Sequence, residues 1–579
     1  MPNKTVLAKW LLATICVLFA CVAFSQQSPL YKQTSEVNNL MVAYQADYGS
    51  LSRFYFTENS PERRARLGRL IKDYLQQLQQ LKFESLPTGS KVDYILFKRD
   101  LESQLRLFNI EENEYRQVAK WFPFAEKIYA IERTRRRGTQ QDAQKLAATL
   151  NELTKEIESI TKALDKEKGI EVALTRRAEG IVRGLQAALR NVNEFYMGYD
   201  PLYTWWVPDP FKKLETALAA YGKAWEAKTK SAPAAKDDGS GIVGFPVGRE
   251  ELIRQLTVEM IPYTPEELVE IANQEFAWCD AEMLKASREM GFGDDWKKAL
   301  EKVKNTYVPA GKQPEAMMKL YNESVDFLKK HNLVTIPPIA EESWRMIMMT
   351  PERQLVNPFF TGGEVFSISY PTNTMSEEDK LMSMRGNNPH FSRATVHHEL
   401  IAGHHLQQFM NRRYKTYRNF RTPFWTEGWA LYWELLLWDL KFPQSPEDRV
   451  GMLFWRMHRC ARIIFSLNYH LGKWTPQQCI DFLVDRVGHE RANATGEVRR
   501  SFTTAYPPLY QLAYMMGGLQ FYALKKELVD SGKMTYKQFH DAVLQENAMP
   551  VEMVRAILTN QPLTKDFKTS WRFYGKQKI

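Results

Sequence analysis

The chain has 579 residues, of which 44% are hydrophobic, 25% charged and 12% aromatic, proportions that exclude wholesale disorder, collagen and low-complexity sequence. Its formal charge of +10 comes from 78 basic against 68 acidic residues without a long basic run, which argues against nucleic acid as a partner. One large or two medium domains fit the length.

The first 25 residues read as an export signal. Lys4 and Lys9 give a basic start, Trp10 to Ala20 an apolar stretch, and Ala23-Phe24-Ser25 a small-x-small cleavage site. Leu18-Phe19-Ala20-Cys21 also resembles a bacterial lipobox, which would make Cys21 a lipid attachment point. The expectation is an exported bacterial protein, periplasmic or tethered to a membrane through Cys21, because no later apolar run is long enough to span a bilayer. Three cysteines remain outside the leader, Cys279, Cys460 and Cys479, too few for a disulfide framework. They read as buried thiols, with a Cys460–Cys479 bridge as the alternative.

From about Pro29 to Lys230, apolar residues recur at three-to-four spacing, as in Leu67, Leu70, Ile71, Tyr74, Leu75 and Leu78, the mark of amphipathic helices. Between Gln140 and Tyr196 the same spacing continues, with Gly169, Gly180 and Gly184 as the expected interruptions. The heptads do not persist, so packed helices are expected rather than a coiled coil. A composition change around Lys228 to Gly248 marks a loop, dividing an N-terminal helical region, 26–235, from a second region, 236–579, packed with it as one domain. Thr264-Pro265-Glu266-Glu267 is a helix start. The clearest strand is Glu364 to Tyr370, alternating after Gly362-Gly363 and stopped by Pro371. The fold class is therefore mainly α, with a small β element just upstream of the most informative stretch.

That stretch is His397-His398-Glu399-Leu400-Ile401-Ala402-Gly403-His404-His405: four of the 10 histidines within nine positions. Neutral imidazoles are the commonest metal ligands, and an adjacent glutamate suits a zinc hydrolase, in which the metal acidifies water and a carboxylate takes its proton. The spacing is not the helical one. His398 and His404 are about 240° apart around an unbroken helix, and His398 and His405 about 10 Å apart along its axis, so neither pair can share one ion. The helix must therefore break between Leu400 and His404, at Ala402-Gly403. A third ligand is sought on the aromatic helix Trp425-Thr426-Glu427-Gly428-Trp429-Ala430-Leu431-Tyr432-Trp433-Glu434, where two acids seven apart share a face; one can bind metal while the other accepts a hydrogen bond from a ligand histidine.

His398-Glu399-x-x-x-Gly403-His404-His405-x-Gln407, followed by Glu427-Gly428-Trp429-Ala430-Leu431-Tyr432, resembles the domain-of-unknown-function family 885 (DUF885), bacterial proteins grouped with helical zinc metallopeptidases. Members of that family usually carry proline before the Gly-His pair; this chain has Ala402 and relies on Gly403 for the kink. The resemblance implies a large helical metallopeptidase-like fold with a deep cleft and one zinc ion. It implies His398, His404 and Glu427 as ligands and Glu399 as general base, with His397, His405 and Glu434 in supporting places around them. Glu497-Val498-Arg499-Arg500 and Tyr510-Gln511-x-x-Tyr514-x-x-Gly517 resemble the family's late signatures. They nominate Tyr514 as a donor to a developing oxyanion and Arg500 as a fork for a C-terminal carboxylate. The strand ending at Tyr370 would hold an extended peptide by backbone pairing.

The expectation is thus an exported zinc-dependent metallopeptidase of short peptides, a carboxypeptidase or dipeptidase. The alternatives are a non-catalytic metal- or peptide-binding protein on the same scaffold and a metal-dependent amidase.

Overall fold

The computed structural model describes residues 35, 37–231, 237–354, 357, 359–503 and 506–575; the leader, with Cys21, lies outside them. Among the described residues, twenty-four α-helices and two short strands make up most of the regular structure. The first eight helices are α1 (Asn38–Phe54), α2 (Pro61–Gln79), α3 (Thr88–Val118), α4 (Ala125–Arg135), α5 (Ala143–Lys166), α6 (Val172–Tyr196), α7 (Pro201–Trp206) and α8 (Pro208–Lys230). There follow α9 (Arg249–Val258), α10 (Pro265–Glu289), α11 (Trp296–Lys304), α12 (Gln313–Lys330) and α13 (Pro338–Ser343). Strand β1 (Arg345–Met348), α14 (Pro351–Gln354) and β2 (Val365–Ile368) lead into α15 (Glu377–Gly386), α16 (Pro389–Glu399) and α17 (His404–Asn411). The chain closes with α18 (Pro423–Asp439), α19 (Pro446–His470), α20 (Pro476–Phe482), α21 (Arg491–Thr503), α22 (Tyr510–Lys525), α23 (Tyr536–Gln545) and α24 (Val551–Leu558).

Local chemistry sets many of these boundaries. Thr264 and Glu267 form a reciprocal capping box with Pro265 at the first helical position, and Asp142 caps α5 through the Lys145 N–H. Of the three glycines expected to interrupt 140–196, only Gly169 does so, with φ +74° between α5 and α6. Gly180 and Gly184 stay inside α6, where a Cβ on Gly184 would lie 2.4 Å from the Glu58 carbonyl oxygen. They are present for close approach to the α1–α2 turn.

Two apolar cores are separate. One joins α1, α2 and the first half of α3 to nearly everything from Ile242 to Phe573. The other, from Val118 to Trp225, is formed by α4 to α8 together with Val118 at the end of α3, so α3 reaches from one core to the other. Between them runs a charged seam. Arg136 pairs with Glu62 at 2.9 Å, Arg177 with Glu114 at 2.8 Å, and Arg64 with Glu111 at 2.8 Å and Glu112 at 2.6 Å.

The first core is built on α18, a helix apolar on every side and buried from Phe424 to Leu437 apart from Thr426, as expected of a helix that other helices surround. Its closest neighbour is α22. A Cβ on Gly428 would stand 2.5 Å from the Gly517 Cα, and one on Gly517 2.2 Å from the Phe424 carbonyl oxygen. The two backbones touch because neither residue has a side chain. The sheet is a parallel pair, Arg345 opposite Val365 through Met348 opposite Ile368. The other edge of β2 is occupied at Ser367, which exchanges two backbone hydrogen bonds with Thr361. The described cysteines are free and buried, so the Cys460–Cys479 bridge is not formed; Cys479 instead faces the Phe465 carbonyl at 3.7 Å.

Gly517→Ala should force α18 and α22 apart and destabilise the protein by about 1–3 kcal/mol, the usual range for overpacking. Thermal unfolding of the variant against the parent checks this, and an unchanged midpoint would refute the close crossing.

Candidate metal centre

Helix α16 ends at Glu399 and α17 starts at His404, with Leu400 (φ −111°, ψ −107°) and Gly403 (φ −83°, ψ −129°) outside helical geometry. The expected break is there. The Ile401–Ala402 peptide is cis, the Gly403 N–H turns back to the His397 carbonyl at 2.9 Å, and Trp429 Nε1 of α18 donates to the Ala402 carbonyl at 2.8 Å. Gly403 has a negative φ. It is needed because a Cβ would sit 1.8 Å from the His398 carbonyl oxygen.

The break brings His398 and His404 together, ring centroids 4.8 Å apart and nearly perpendicular. Glu427 reaches them from α18: its Oε2 is 3.2 Å from His404 Nε2 and 3.6 Å from His398 Nε2. The Tyr510 hydroxyl holds the other oxygen, Oε1. Oε2 is buried and has no hydrogen-bond donor. Ligands on a tetrahedral zinc at about 2.0–2.1 Å stand roughly 3.3 Å from one another, so both distances from Glu427 Oε2 suit a metal-ligand set. Glu399 also meets the two imidazoles, with donor atoms of His398, Glu399 and His404 all within 4.8 Å. Its Oε2, however, accepts from the Gly362 N–H at 2.5 Å, and its carbonyl from the Gly363 N–H at 3.1 Å. Glu427 therefore fits as the third ligand, and Glu399 as the clamped carboxylate beside the ion. Gly362 makes the clamp feasible, since a Cβ there would lie 2.2 Å from the Glu399 carbonyl oxygen.

Behind the cluster, Glu434 Oε1 lies 2.7 Å from His398 Nδ1 and 3.1 Å from Arg459. Burial alone would push the His398 imidazole down, but its pairing with Glu427 and Glu434 prevails and holds it up at about 9. Burial likewise works to raise Glu427, and His404 and His398 overcome it, taking the carboxyl well below the usual range. A site with this much buried negative charge takes up cations, as protons or as metal.

A cavity of about 320 Å³ opens on His398, Glu399, His404 and Glu427. Tyr514 lines it with its ring parallel to that of His398 (14°, 6.2 Å between centroids). Arg500 lines it too, with Nε 2.9 Å from the fully buried Glu497 and Nη1 donating to Asn357 at 3.3 Å. A larger cavity of about 890 Å³, around the C-terminal turns of α18 and α22 near Trp278 and Tyr522, contains none of these groups.

Three expected residues lie elsewhere. Tyr370 is buried away from the cavity, its hydroxyl given to the Val308 carbonyl, and the β2 edge meant to pair with substrate is taken at Ser367. His405 turns away, as the one-residue step from His404 requires, and its Nε2 is 2.6 Å from the Ala340 carbonyl. His397 packs its ring against Phe442 (5.8 Å between centroids) and meets no ligand residue by hydrogen bond. Burial lowers its pKa to about 4. Conversely, sequence reasoning missed Tyr510, Gly362, Arg353, Arg459 and Arg462. The available signal for the last two was a pair of arginines three apart, on one face of a helix whose second half is rich in apolar residues.

The fold and the cluster together define a mainly helical protein with a buried His–Glu centre where a broken helix meets a central one. The chain belongs to the family described as bacterial protein of unknown function (DUF885), whose model matches residues 46–558. It is similar in fold to a solved structure from Shewanella oneidensis described as "a putative lipoprotein of unknown function", with a TM-score of 0.65 and 17% identity over 91% of this chain and 100% of that one. A second, described as "the putative lipoprotein from Colwellia psychrerythraea", gives a TM-score of 0.55 and 16% identity over 91% and 98%. No curated protein matches. Among the described residues no helix is long and apolar enough to cross a membrane.

Two outcomes are expected. Gly403→Val should push His404 away from His398 and lower zinc content even though valine ligates nothing; metal analysis showing full occupancy would refute the close-approach argument. Zinc affinity should rise about tenfold per pH unit up to about 9, because a ligating imidazole must be neutral and His398 is held protonated until then. Calorimetry in buffers of different ionisation enthalpy, which counts released protons, checks it.

Proposed function

We propose that the protein is an exported zinc-dependent peptidase acting on short peptides, with a metallopeptidase-like cleft at the His–Glu centre. The observation that carries this reading is Glu427 Oε2, buried without a donor between two imidazole nitrogens, beside a second carboxylate clamped by Gly362. His398, His404 and Glu427 would hold one zinc ion, which supplies Lewis acidity toward water and a peptide carbonyl.

The chain's own groups do the rest. Glu434 holds His398 at Nδ1, leaving Nε2 to face the ion, and Tyr510 fixes Glu427 by its other oxygen. Glu399, aimed by the Gly362 N–H, takes the proton of the attacking water. As the water oxygen bonds to the carbonyl carbon and the C–N bond breaks, Glu399 passes that proton to the leaving amine. Burial, followed by Glu427, pushes the Tyr514 phenol up, so its hydroxyl stays protonated and donates to the carbonyl oxygen as charge develops there. The similarity to structures described as putative lipoproteins supports export with lipid attachment at Cys21.

Glu399→Gln should retain near-parental zinc while losing nearly all hydrolysis of a short-peptide library read by mass spectrometry. His398→Ala, His404→Ala and Glu427→Ala should each empty the site, and His405→Ala should not. Full activity in Glu399→Gln would refute the mechanism, and zinc bound without any hydrolysis by the parent would favour a binding protein.

A further inference from the structure

The cavity is more basic than a zinc site requires. Four guanidinium groups line it, Arg353, Arg459, Arg462 and Arg500, against the carboxylates of Glu399 and Glu427. Part of this charge is committed. Arg459 pairs with Glu434, and Arg462 and Arg500 share Glu497, which also takes a hydrogen bond from Gln511 at 3.0 Å. Even so, Arg459 Nε and Arg462 Nη1 are buried with no acceptor, and both guanidiniums lie over the Tyr514 ring, at 4.8 and 4.3 Å from its centroid. Arg353 differs. It is exposed on α14, and among the described residues its guanidinium has no carboxylate partner and donates to the hydroxyls of Ser367 at 3.4 Å and Thr361 at 3.1 Å. Those contacts place it beside the turn that clamps Glu399, while Arg500 donates to Asn357, whose own N–H bonds the Arg353 carbonyl at 2.7 Å.

We propose that Arg353 and Arg500 form a subsite for the C-terminal α-carboxylate of a peptide, with Arg459 and Arg462 behind it keeping the field positive. The inference rests on the reading of the cavity as a peptidase site and narrows it to cleavage near the C-terminus. The size agrees. A cavity of about 320 Å³ is at the low end of the roughly 300–1,000 Å³ of small-ligand sites and accepts a few residues rather than a passing chain. Guanidinium is the side chain whose planar donors match a carboxylate, and the lining of this cavity offers it where a purely apolar peptide would need none.

The test is binding, not turnover. Calorimetric titration of the full chain carrying Glu399→Gln should give trialanine an affinity about ten- to hundredfold above that of trialanine amide, the range for hydrogen bonds to a charged group. Arg353→Ala, an exposed position whose loss should leave the fold intact, should abolish the preference, and Arg353→Lys should keep part of it. Equal binding of acid and amide, or a preference that survives Arg353→Ala, would overturn the proposal. So would Ala-Ala-Glu amide binding as tightly as trialanine, since a side-chain carboxylate would then be the group recognised. The two readings fail separately. Carboxylate preference in a parent protein that cuts no peptide sinks the hydrolase and leaves the subsite, whereas peptide cleavage without that preference does the reverse.

Discussion

Two carboxylates carried into the protein interior on one face of α18 set the terms for everything around them. Glu427 and Glu434 are each 6% exposed, and a buried charge without compensation costs several kcal/mol. Each neighbouring element supplies part of the answer. From α16 comes His398, which touches both acids; from α17 comes His404; α19 brings Arg459 to Glu434, and α22 brings the Tyr510 hydroxyl to Glu427. Both partners of Glu434 meet its Oε1, whereas Glu427 takes the Tyr510 hydroxyl on Oε1 and leaves Oε2 between two imidazole nitrogens without a well-aligned hydrogen bond.

Close backbone approach makes this arrangement attainable. Gly428 and Gly517 let α18 and α22 meet at main-chain distance, so Glu427 and Tyr510 are set against each other by helices and not by loops. Gly403 lets the broken helix fold back on the His398 carbonyl, and Gly362 lets a loop lie on Glu399. The glycines near the centre thus mark where backbone replaces side chain, and the polar groups fall beside them because a site built from three helices needs the helices near.

Much of this could be read in the sequence, for identifiable reasons. Helices announced themselves by spacing, and the break at Ala402-Gly403 followed from arithmetic, because two imidazoles six residues apart cannot meet on one helix. The shared face of Glu427 and Glu434 is a period of seven. What escaped reading depends on meetings across long separations. Nothing local says that Tyr510 donates to a glutamate 83 positions earlier, or that Gly362 clamps one 37 positions later. The β1 segment, Arg345-Met346-Ile347-Met348, has no alternation to show that it pairs with β2 and occupies an edge. Tyr370 was placed at the cavity by its position in the strand, but strand position does not fix which body of the protein a side chain enters.

The joint between the two cores has a different character from either of them. Each core is held by apolar burial, which ordinary electrolytes leave intact and excluded salts such as sulfate strengthen. The seam of Arg64, Arg136 and Arg177 with Glu62, Glu111, Glu112 and Glu114 is ionic, and its outer members, where Glu62 and Glu112 remain partly exposed, are open to screening. Beside the continuous run of α3 and the close approach of Gly184 to Glu58, the helices from Val118 to Trp225 are therefore coupled to the body that carries the His–Glu cluster by a force with its own dependence on the medium. The ionic composition of the surrounding compartment can tighten or relax how the two bodies move together while leaving the packing that holds His398, His404 and Glu427 unchanged.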